Sequence, residues 1–424
     1  MTTVTKKIEI PNIRWQKFLL GFNLFCFSLL IAQTLTLDSC IALAKKNNLK
    51  LLEAGLAIAK ARADLTEANA SYYPTVGLSS GYRYSSDFTN SKTGSFSTGI
   101  SAQYPVYKGG AIRASTKIAA IRVKIAEENF RQTEQEVILA VKQAFFKIWQ
   151  IQEQISLIKN ILNRRQENLT LLKLNYNVGR ENEPNVKQAE AALKETEYQY
   201  QKLMQELSLA KLKLGQLINQ PGEEIVIQYD DKKVEFPALD SLIQEALWHR
   251  PEIISQKANS EIFKAQVNLA KSNYFPVISI SSSYGLQADK FFEPKSNWSA
   301  GVSLTLPLID GFATKAKVNA ANIALKQQEL NLQDLTNTVG QEVRQAYADW
   351  QLAMKNLEVT NKILEAARVA YQLTKLQYEQ GRTSYFFLQQ KESELTQAEN
   401  NCVNAQYNRR LAIATLEKVL GRSN

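Results

Sequence analysis

Residues 104–110 read YPVYKGG. A proline that should interrupt a strand ladder is followed by two glycines and then by a helical pattern about seventy residues long. The same punctuation returns at 306–312 as LPLIDGF. Pro105 is answered by Pro307 and Gly109 by Gly311, both 202 positions later. Outward from this joint the offset persists. Leu37, Asp38 and Ser39 match Leu239, Asp240 and Ser241; Tyr72 and Pro74 match Tyr274 and Pro276; Leu174, Tyr176, Gly179 and Arg180 match Leu376, Tyr378, Gly381 and Arg382. The chain is two copies of one unit.

Upstream of each joint the apolar period is two. Positions 76, 78, 80, 82 and 84 are Val, Leu, Ser, Tyr and Tyr, and 96 to 104 give Phe, Thr, Ile, Ala and Tyr. The second copy gives Ile, Ile, Ser, Tyr, Leu over 278–286 and Trp, Ala, Val, Leu, Leu over 298–306. Of these twenty even positions seventeen are apolar and none is charged; the odd positions over 75–83, 95–103, 277–285 and 297–305 are Gly, Ser, Thr, Asn and Gln, with Val277 and Arg83 as exceptions. This is the alternation of four strands, each the length a tilted strand needs to cross a bilayer. An ordinary β-sandwich would alternate similarly. The flanking long helices, and the aromatic residues Tyr82, Tyr84, Tyr104, Tyr284 and Trp298, favour a membrane sheet.

Downstream of each joint the pattern becomes heptad. One seam runs Val141, Ile148, Ile155, Leu162, Leu169, Tyr176, with Ala144, Ile151, Ile158 and Leu172 at the companion positions, interrupted only by Arg165; its repeat runs Val343, Trp350, Leu357, Leu364, Tyr371, Tyr378. A helix over 108–178 would be roughly 100 Å long at about 1.5 Å per residue, which is coiled-coil territory. Gly179 then reverses the chain, and a return helix carries Val186, Leu193, Tyr200, Leu207 and Leu214.

Four strands are too few to close a barrel, and an open sheet edge in hydrocarbon leaves backbone groups unpaired. Two copies would give eight strands with a filled interior, and three would give twelve with room for an opening. The expected organisation is a segment 1–32, with Lys6, Lys7, Arg14 and Lys17 before an apolar run, as signal peptide; repeat 1 over 33–219 (a helix over 38–73 capped by Asp38, hairpin 74–107, long helix 108–178, helix 184–219); a connector over 220–238; and repeat 2 over 239–424 (a helix, hairpin 276–308, long helix 310–379, helix 384–421). The prolines are expected to end the strand ladders and Asp310 to cap its helix.

These features exclude several classes. The net charge of +10 is spread over mixed-charge helical faces, so no nucleic-acid partner is expected. The single histidine, His249, sits near a helix end, and no metal spacing, phosphate loop or nucleophile elbow occurs, so neither an enzyme nor a cofactor is expected. Asp38 and Ser39 precede Cys40 where a lipidation site has small apolar residues. Cys402 falls on a helical seam, and no disulfide between the two is expected. An exported coiled-coil rod is the competing reading, and only the four alternating strands argue against it.

YPVYKGG and LPLIDGF resemble the strand-to-helix junctions, and KLNYNVGR and KLQYEQGR the helical-tip motif, of the TolC family of outer-membrane efflux proteins. The resemblance covers the whole chain after residue 32. It implies a mostly helical homotrimer in which each copy gives four strands to a twelve-stranded β-barrel continued by a coiled-coil tunnel, with the connector in a small belt between them. It further implies an outer-membrane location reaching into the periplasm, a passive exit-duct role, a periplasmic adaptor, an inner-membrane pump, contact with outer-membrane lipid, and no cofactor. Tyr176, Gly179, Arg180, Glu181, Glu183, Tyr378, Gly381 and Arg382 would form the periplasmic tip, gate and docking surface. Pro74, Pro105, Gly109, Gly110, Pro276, Pro307 and Gly311 would form the strand–helix junctions. Family members can carry acidic residues six and nine positions after the second-tip glycine; here Phe387 and Gln390 stand there, leaving Glu181 and Glu183 as candidate replacements.

Overall fold

The computed structural model describes residues 34–86, 92–221, 226–228, 234–288 and 295–422. The segment read as signal peptide lies outside them. In chain order the elements are β1 (Thr34–Leu35), α1 (Leu37–Asn47), α2 (Leu49–Ala70), β2 (Thr75–Ser86), β3 (Lys92–Lys108), α3 (Ala111–Asn177), α4 (Glu183–Ile218), β4 (Val226–Ile227), α5 (Leu239–His249), α6 (Pro251–Lys271), β5 (Val277–Ala288), β6 (Lys295–Thr305), α7 (Ala313–Glu379) and α8 (Tyr385–Val419).

Four strands make one antiparallel sheet in the order β2-β3-β5-β6. Register keeps the alternation in phase across it. Tyr82 pairs with Phe96, Ile100 with Tyr284, and Tyr284 with Trp298 on one face. Ser101 pairs with Ser283, and Ser283 with Ser299, on the other. The apolar face is uncovered: Leu78 is 74 % exposed, Val302 72 % and Trp298 78 %. Tyr82 and Phe96 stack in a tilted pair with ring centroids 4.6 Å apart. The opposite face is a hydroxyl lattice, with Ser279 bonded to Ser303 at 2.7 Å and Ser283 to Ser299 at 2.9 Å. A soluble sandwich would bury the face left bare here. Among the described residues, no helix is long and apolar enough to cross a membrane.

The helices pair as long antiparallel hairpins, α3 with α4 and α7 with α8, while α2 packs on α3 and α6 lies against both α3 and α7. Heptad burial makes this work. Val141, Ile148, Ile151 and Leu172 are essentially inaccessible, and so are Val343, Leu388, Leu395 and Leu416 on the second pair. The core is therefore strung out along the helices as separate clusters. The connector's β4 pairs in parallel with β1 to form a two-stranded patch at the helical waist.

Three local expectations are corrected. The helix expected over 38–73 is two: Asn48 breaks it, its side chain accepting from the Lys50 N–H at 3.0 Å and donating to the Leu217 carbonyl at 2.8 Å. Arg250 and Pro251 break the equivalent helix of the second copy. The N-cap of α1 is Thr36, which accepts from Ser39 N at 3.3 Å, and Asp38 sits in the first turn. Pro105 does not end its ladder. The strand bulges between Pro105 and Tyr107 and continues to Lys108, paired with Val277. A proline is tolerated where a bulge already interrupts donation.

Cys40 is wholly buried in the waist cluster on α1, where burial pushes its thiol up to about 11. Cys402 is buried on α8, and both thiols are free.

Candidate channel tip and junctions

The two helical tips are built alike. At the end of α3, Gly179 N–H donates to Tyr176 O at 3.0 Å and Arg180 N–H to Asn175 O at 2.8 Å; at the end of α7, Gly381 donates to Tyr378 O at 2.9 Å and Arg382 to Gln377 O at 2.8 Å. Both glycines take the left-handed conformation this closure needs, with φ of 74° and 70°. Asn182 then caps α4, accepting from Asn185 N at 3.0 Å.

The two tips differ in what they touch. Tyr176 is 42 % exposed, whereas its counterpart Tyr378 is 6 % exposed. Asn175 donates to the Tyr378 hydroxyl at 3.3 Å, and that hydroxyl donates to Glu181 at 3.2 Å. The other Glu181 oxygen accepts from Asn182 N at 3.2 Å and from Asn185 Nδ2 at 2.7 Å. Glu181 is thus tied into a stitch between the two tips, while Glu183, Arg180 and Arg382 are exposed. Burial raises the Tyr378 phenol above its ordinary range. Burial and then the Glu392 charge push neighbouring Tyr385 up to about 12. Both phenols remain protonated donors at physiological pH. Phe386 and Phe387 project into solvent beside them, with ring centroids 5.9 Å apart.

A few helical turns above the tips, sequence reasoning missed a buried polar knot. Glu392, 5 % exposed, accepts from Asn168 Nδ2 at 3.0 Å and lies 3.5 Å from Arg165 and 3.7 Å from Arg164. Arg164 also donates to both Glu399 oxygens, at 3.4 and 3.2 Å, and to Thr396 at 3.0 Å. Arg165, which breaks the apolar seam, reaches the Ala192 carbonyl at 2.7 Å and Thr196 at 2.6 Å. Asn168 also donates to the Tyr371 hydroxyl of α7 at 3.4 Å, so four helices, α3, α4, α7 and α8, meet here. The readable signal was a carboxylate in the Tyr385, Leu388, Glu392, Leu395 spacing, where a core residue belongs.

At the strand–helix junctions, Gly109 and Gly110 have φ of 61° and 86°, and Gly311 has 65°. Gly109 is also sterically required: a Cβ there would collide with the Ser272 carbonyl and lie 2.9 Å from the Phe275 Cβ. Pro74 and Pro276 stand immediately before β2 and β5, and Pro307 lies two residues beyond β6. Phe312 takes the N-cap position of α7, and Asp310, two residues earlier, reaches into its first turn: its carboxylate accepts from Thr314 N at 2.7 Å, and the Thr314 side-chain bond followed by that backbone bond holds its carboxyl below the ordinary range. His249 ends α5, exposed, with its Nδ1 3.0 Å from the Glu245 carbonyl.

A bare apolar sheet face, a hydroxyl-lined reverse face and twin helical hairpins is the arrangement expected of a channel. The model of the outer membrane efflux protein family matches residues 40–220 and 242–422, the two halves of the repeat. The chain belongs to this family. Among curated relatives of the efflux family, it is 22 % identical over 391 residues to the cation efflux system protein CusC of Escherichia coli strain K12, covering 90 % of this chain and 85 % of that one. It is 25 % identical over 411 residues to the pyoverdine export outer membrane protein OpmQ of Pseudomonas aeruginosa, covering 91 % and 85 %. A crystal structure of CusC superposes with a TM-score of 0.83 at 21 % identity, covering 91 % of this chain and 92 % of that one. The Vibrio cholerae outer membrane protein VceC gives 0.80 at 18 % identity, covering 91 % and 96 %. As an outer membrane efflux protein the chain is a passive transport channel of the outer membrane, a component of an efflux system and not an enzyme.

Proposed function

We propose that three copies close one twelve-stranded barrel in outer-membrane lipid and continue it as a periplasmic tunnel. The tunnel's tips meet a periplasmic adaptor and pass cargo delivered by an inner-membrane pump. The observation that carries this is the four-stranded sheet, whose lipid-compatible face is bare and whose edges β2 and β6 lack partners among the described residues. In hydrocarbon each unpaired backbone group costs several kcal/mol, so the edges have to meet other copies.

At the tips, Tyr176, Gly179, Arg180, Glu183, Tyr378, Gly381 and Arg382 form the end that gates the tunnel and receives the adaptor. The Glu181–Tyr378 bond belongs to the resting state, and separating the two tips breaks it. The glycine and proline junctions turn each strand pair into a helix pair at the membrane boundary. The duct touches cargo only in passing, and relatives named for cation efflux and for pyoverdine export support no single substrate.

The test is conductance of the purified protein in a planar bilayer, with cysteines at Glu183 and Arg382 for crosslinking the tips. Stepwise conductance that falls on crosslinking supports the reading. Absence of conductance, or extraction of the protein from cells without detergent, overturns it.

A further inference from the structure

The hydroxyl-lined face of the sheet is uncharged over most of its height and cationic at one end. Register places Gly81, Ser97, Gln287 and Lys295 in a single row across the four strands. Arg83, paired with Ser95, stands on the same face two residues further from the strand–helix joints. The rest of this face is Gly, Ser, Thr, Asn and Gln, with Val277 and Pro105 at the joint end, until Lys108 pairs with Val277 past the bulge. The four strands contain no Asp or Glu at all.

We infer that Arg83 and Lys295 form a cationic collar at the outer mouth of the duct and make it prefer anionic solutes, those bearing carboxylate or phosphate groups, over cations. The inference rests on the ring-of-copies reading above and goes beyond it by assigning the sign of charge that the exit favours. Rings of Arg and Lys lining a pore select anions because each passing ion meets a potential that it lowers or raises according to its own sign. Hydrocarbon on the far side of the sheet strengthens the effect, since low-dielectric walls focus the field of fixed charges into the aqueous lumen.

Neither cation is demanded by the scaffold. The repeat counterpart of Arg83 is Gly285 and that of Lys295 is Thr93, so the duplicated sheet is built equally well with small neutral residues there. Both side chains are exposed, and across the ladder each faces a neutral partner, Ser95 and Gln287 respectively. The glycines and serines around them leave the collar as the place where long side chains enter the lumen.

Charges elsewhere along the duct do not outweigh it. At the strand–helix joints Lys108 is answered by Asp310, its repeat counterpart, and the two cancel. At the tips Arg180 and Arg382 stand against Glu181, Glu183 and Glu379, one net negative charge per copy, and Glu181 is drawn sideways into the bond with Tyr378. The collar contributes two positive charges per copy with no acid on its face of the strands. The turns that follow it, 87–91 and 289–294, carry Asp87, Asp289, Lys290 and Glu293 and lie outside the described residues; the selectivity of the parent protein reads their contribution directly.

The test is the reversal potential of the purified full-length protein in a planar bilayer under a tenfold KCl gradient. The parent should pass chloride several-fold better than potassium, and the preference should fade as salt rises, because the screening length shrinks from about 10 Å at 0.1 M to about 3 Å at 1 M. Arg83→Gln and Lys295→Gln should each reduce the preference, the two together should abolish it, and Arg83→Glu with Lys295→Glu should invert it. Single-channel conductance near that of the parent in 1 M KCl shows that each variant barrel is intact. A parent that prefers potassium, or a chloride preference undiminished in the double glutamine variant, overturns the collar and leaves the ring reading standing. A parent that gives no conductance overturns both.

Discussion

Replacing Glu392 by alanine should be the most damaging single change near the tips. The carboxylate is 5 % exposed and shared by Arg164 and Arg165, with Asn168 bonded to its second oxygen. Removing one partner of a buried ion pair costs about 3–5 kcal/mol, because the charges left behind cannot recover their hydration. Here both arginines keep other partners. Arg164 retains Glu399 and Thr396, and Arg165 retains Ala192 and Thr196. The loss should therefore fall at the low end, about 3 kcal/mol, a factor of roughly 100 in the folding equilibrium. Glu392→Gln preserves shape and an acceptor for Asn168 and should cost about half as much. Urea unfolding of the detergent-solubilised protein, followed by circular dichroism, gives both values. A double variant with Arg165→Met should recover part of the alanine loss, since the stranded charge goes with it. If Glu392→Ala unfolds within about 0.5 kcal/mol of the parent, the knot is not a buried ionic junction and the reasoning fails.

Three further outcomes follow from the geometry. Tyr378→Phe removes the hydroxyl that joins Asn175 to Glu181; losing a bond to a charged group, about 1.5 kcal/mol, should raise resting conductance in a planar bilayer about tenfold, and an unchanged leak would remove the stitch from the gate. Gly109→Ala should prevent assembly into the membrane, because its Cβ would collide with the Ser272 carbonyl in a left-handed backbone, whereas Gly110→Ala, with open space around it, should be milder; equal insertion yields would contradict this. Acidification should loosen the waist. The Arg422 bond holds Glu245 below the ordinary carboxylate range; at Glu252 burial pushes upward, but Arg250's bond and charge outweigh it and the net shift is down. Groups depressed in the folded state contribute fully above the unfolded value, near 4.3, and lose that contribution as pH falls through the folded value. Melting temperature should therefore drop steeply below about pH 4.5, and Glu252→Gln should flatten the drop.

The parts legible in the sequence were those set by periodicity. Alternation at 76–84 and 298–306 fixed the strands and their two faces, and the heptads from Val141 and Val343 fixed the long helices. What escaped was set by neighbours. Pro105 looks like a strand end, yet β5 lies across it and the strand bulges onward; Pro307, with no partner strand beyond it, does follow a strand end. Asn48 resembles any exposed helical polar residue until its bond to Leu217 is seen. Tyr176 and Tyr378 are equivalent by repeat, but only Tyr378 faces the other tip. Glu181, read as a candidate pore carboxylate, is engaged by Tyr378 and Asn185. Glu392 was legible in principle as a charge in an apolar seam, and its three partners come from a helix more than two hundred residues away.

The central claim is that the sheet's two open edges are closed by other copies in the membrane. Amide hydrogen exchange on the purified oligomer tests it directly, by comparing the outward-facing amides of β2 and β6 with those of the internally paired β3 and β5. The account predicts equal slow exchange in all four strands. Fast exchange confined to β2 and β6, with β3 and β5 protected, would contradict it.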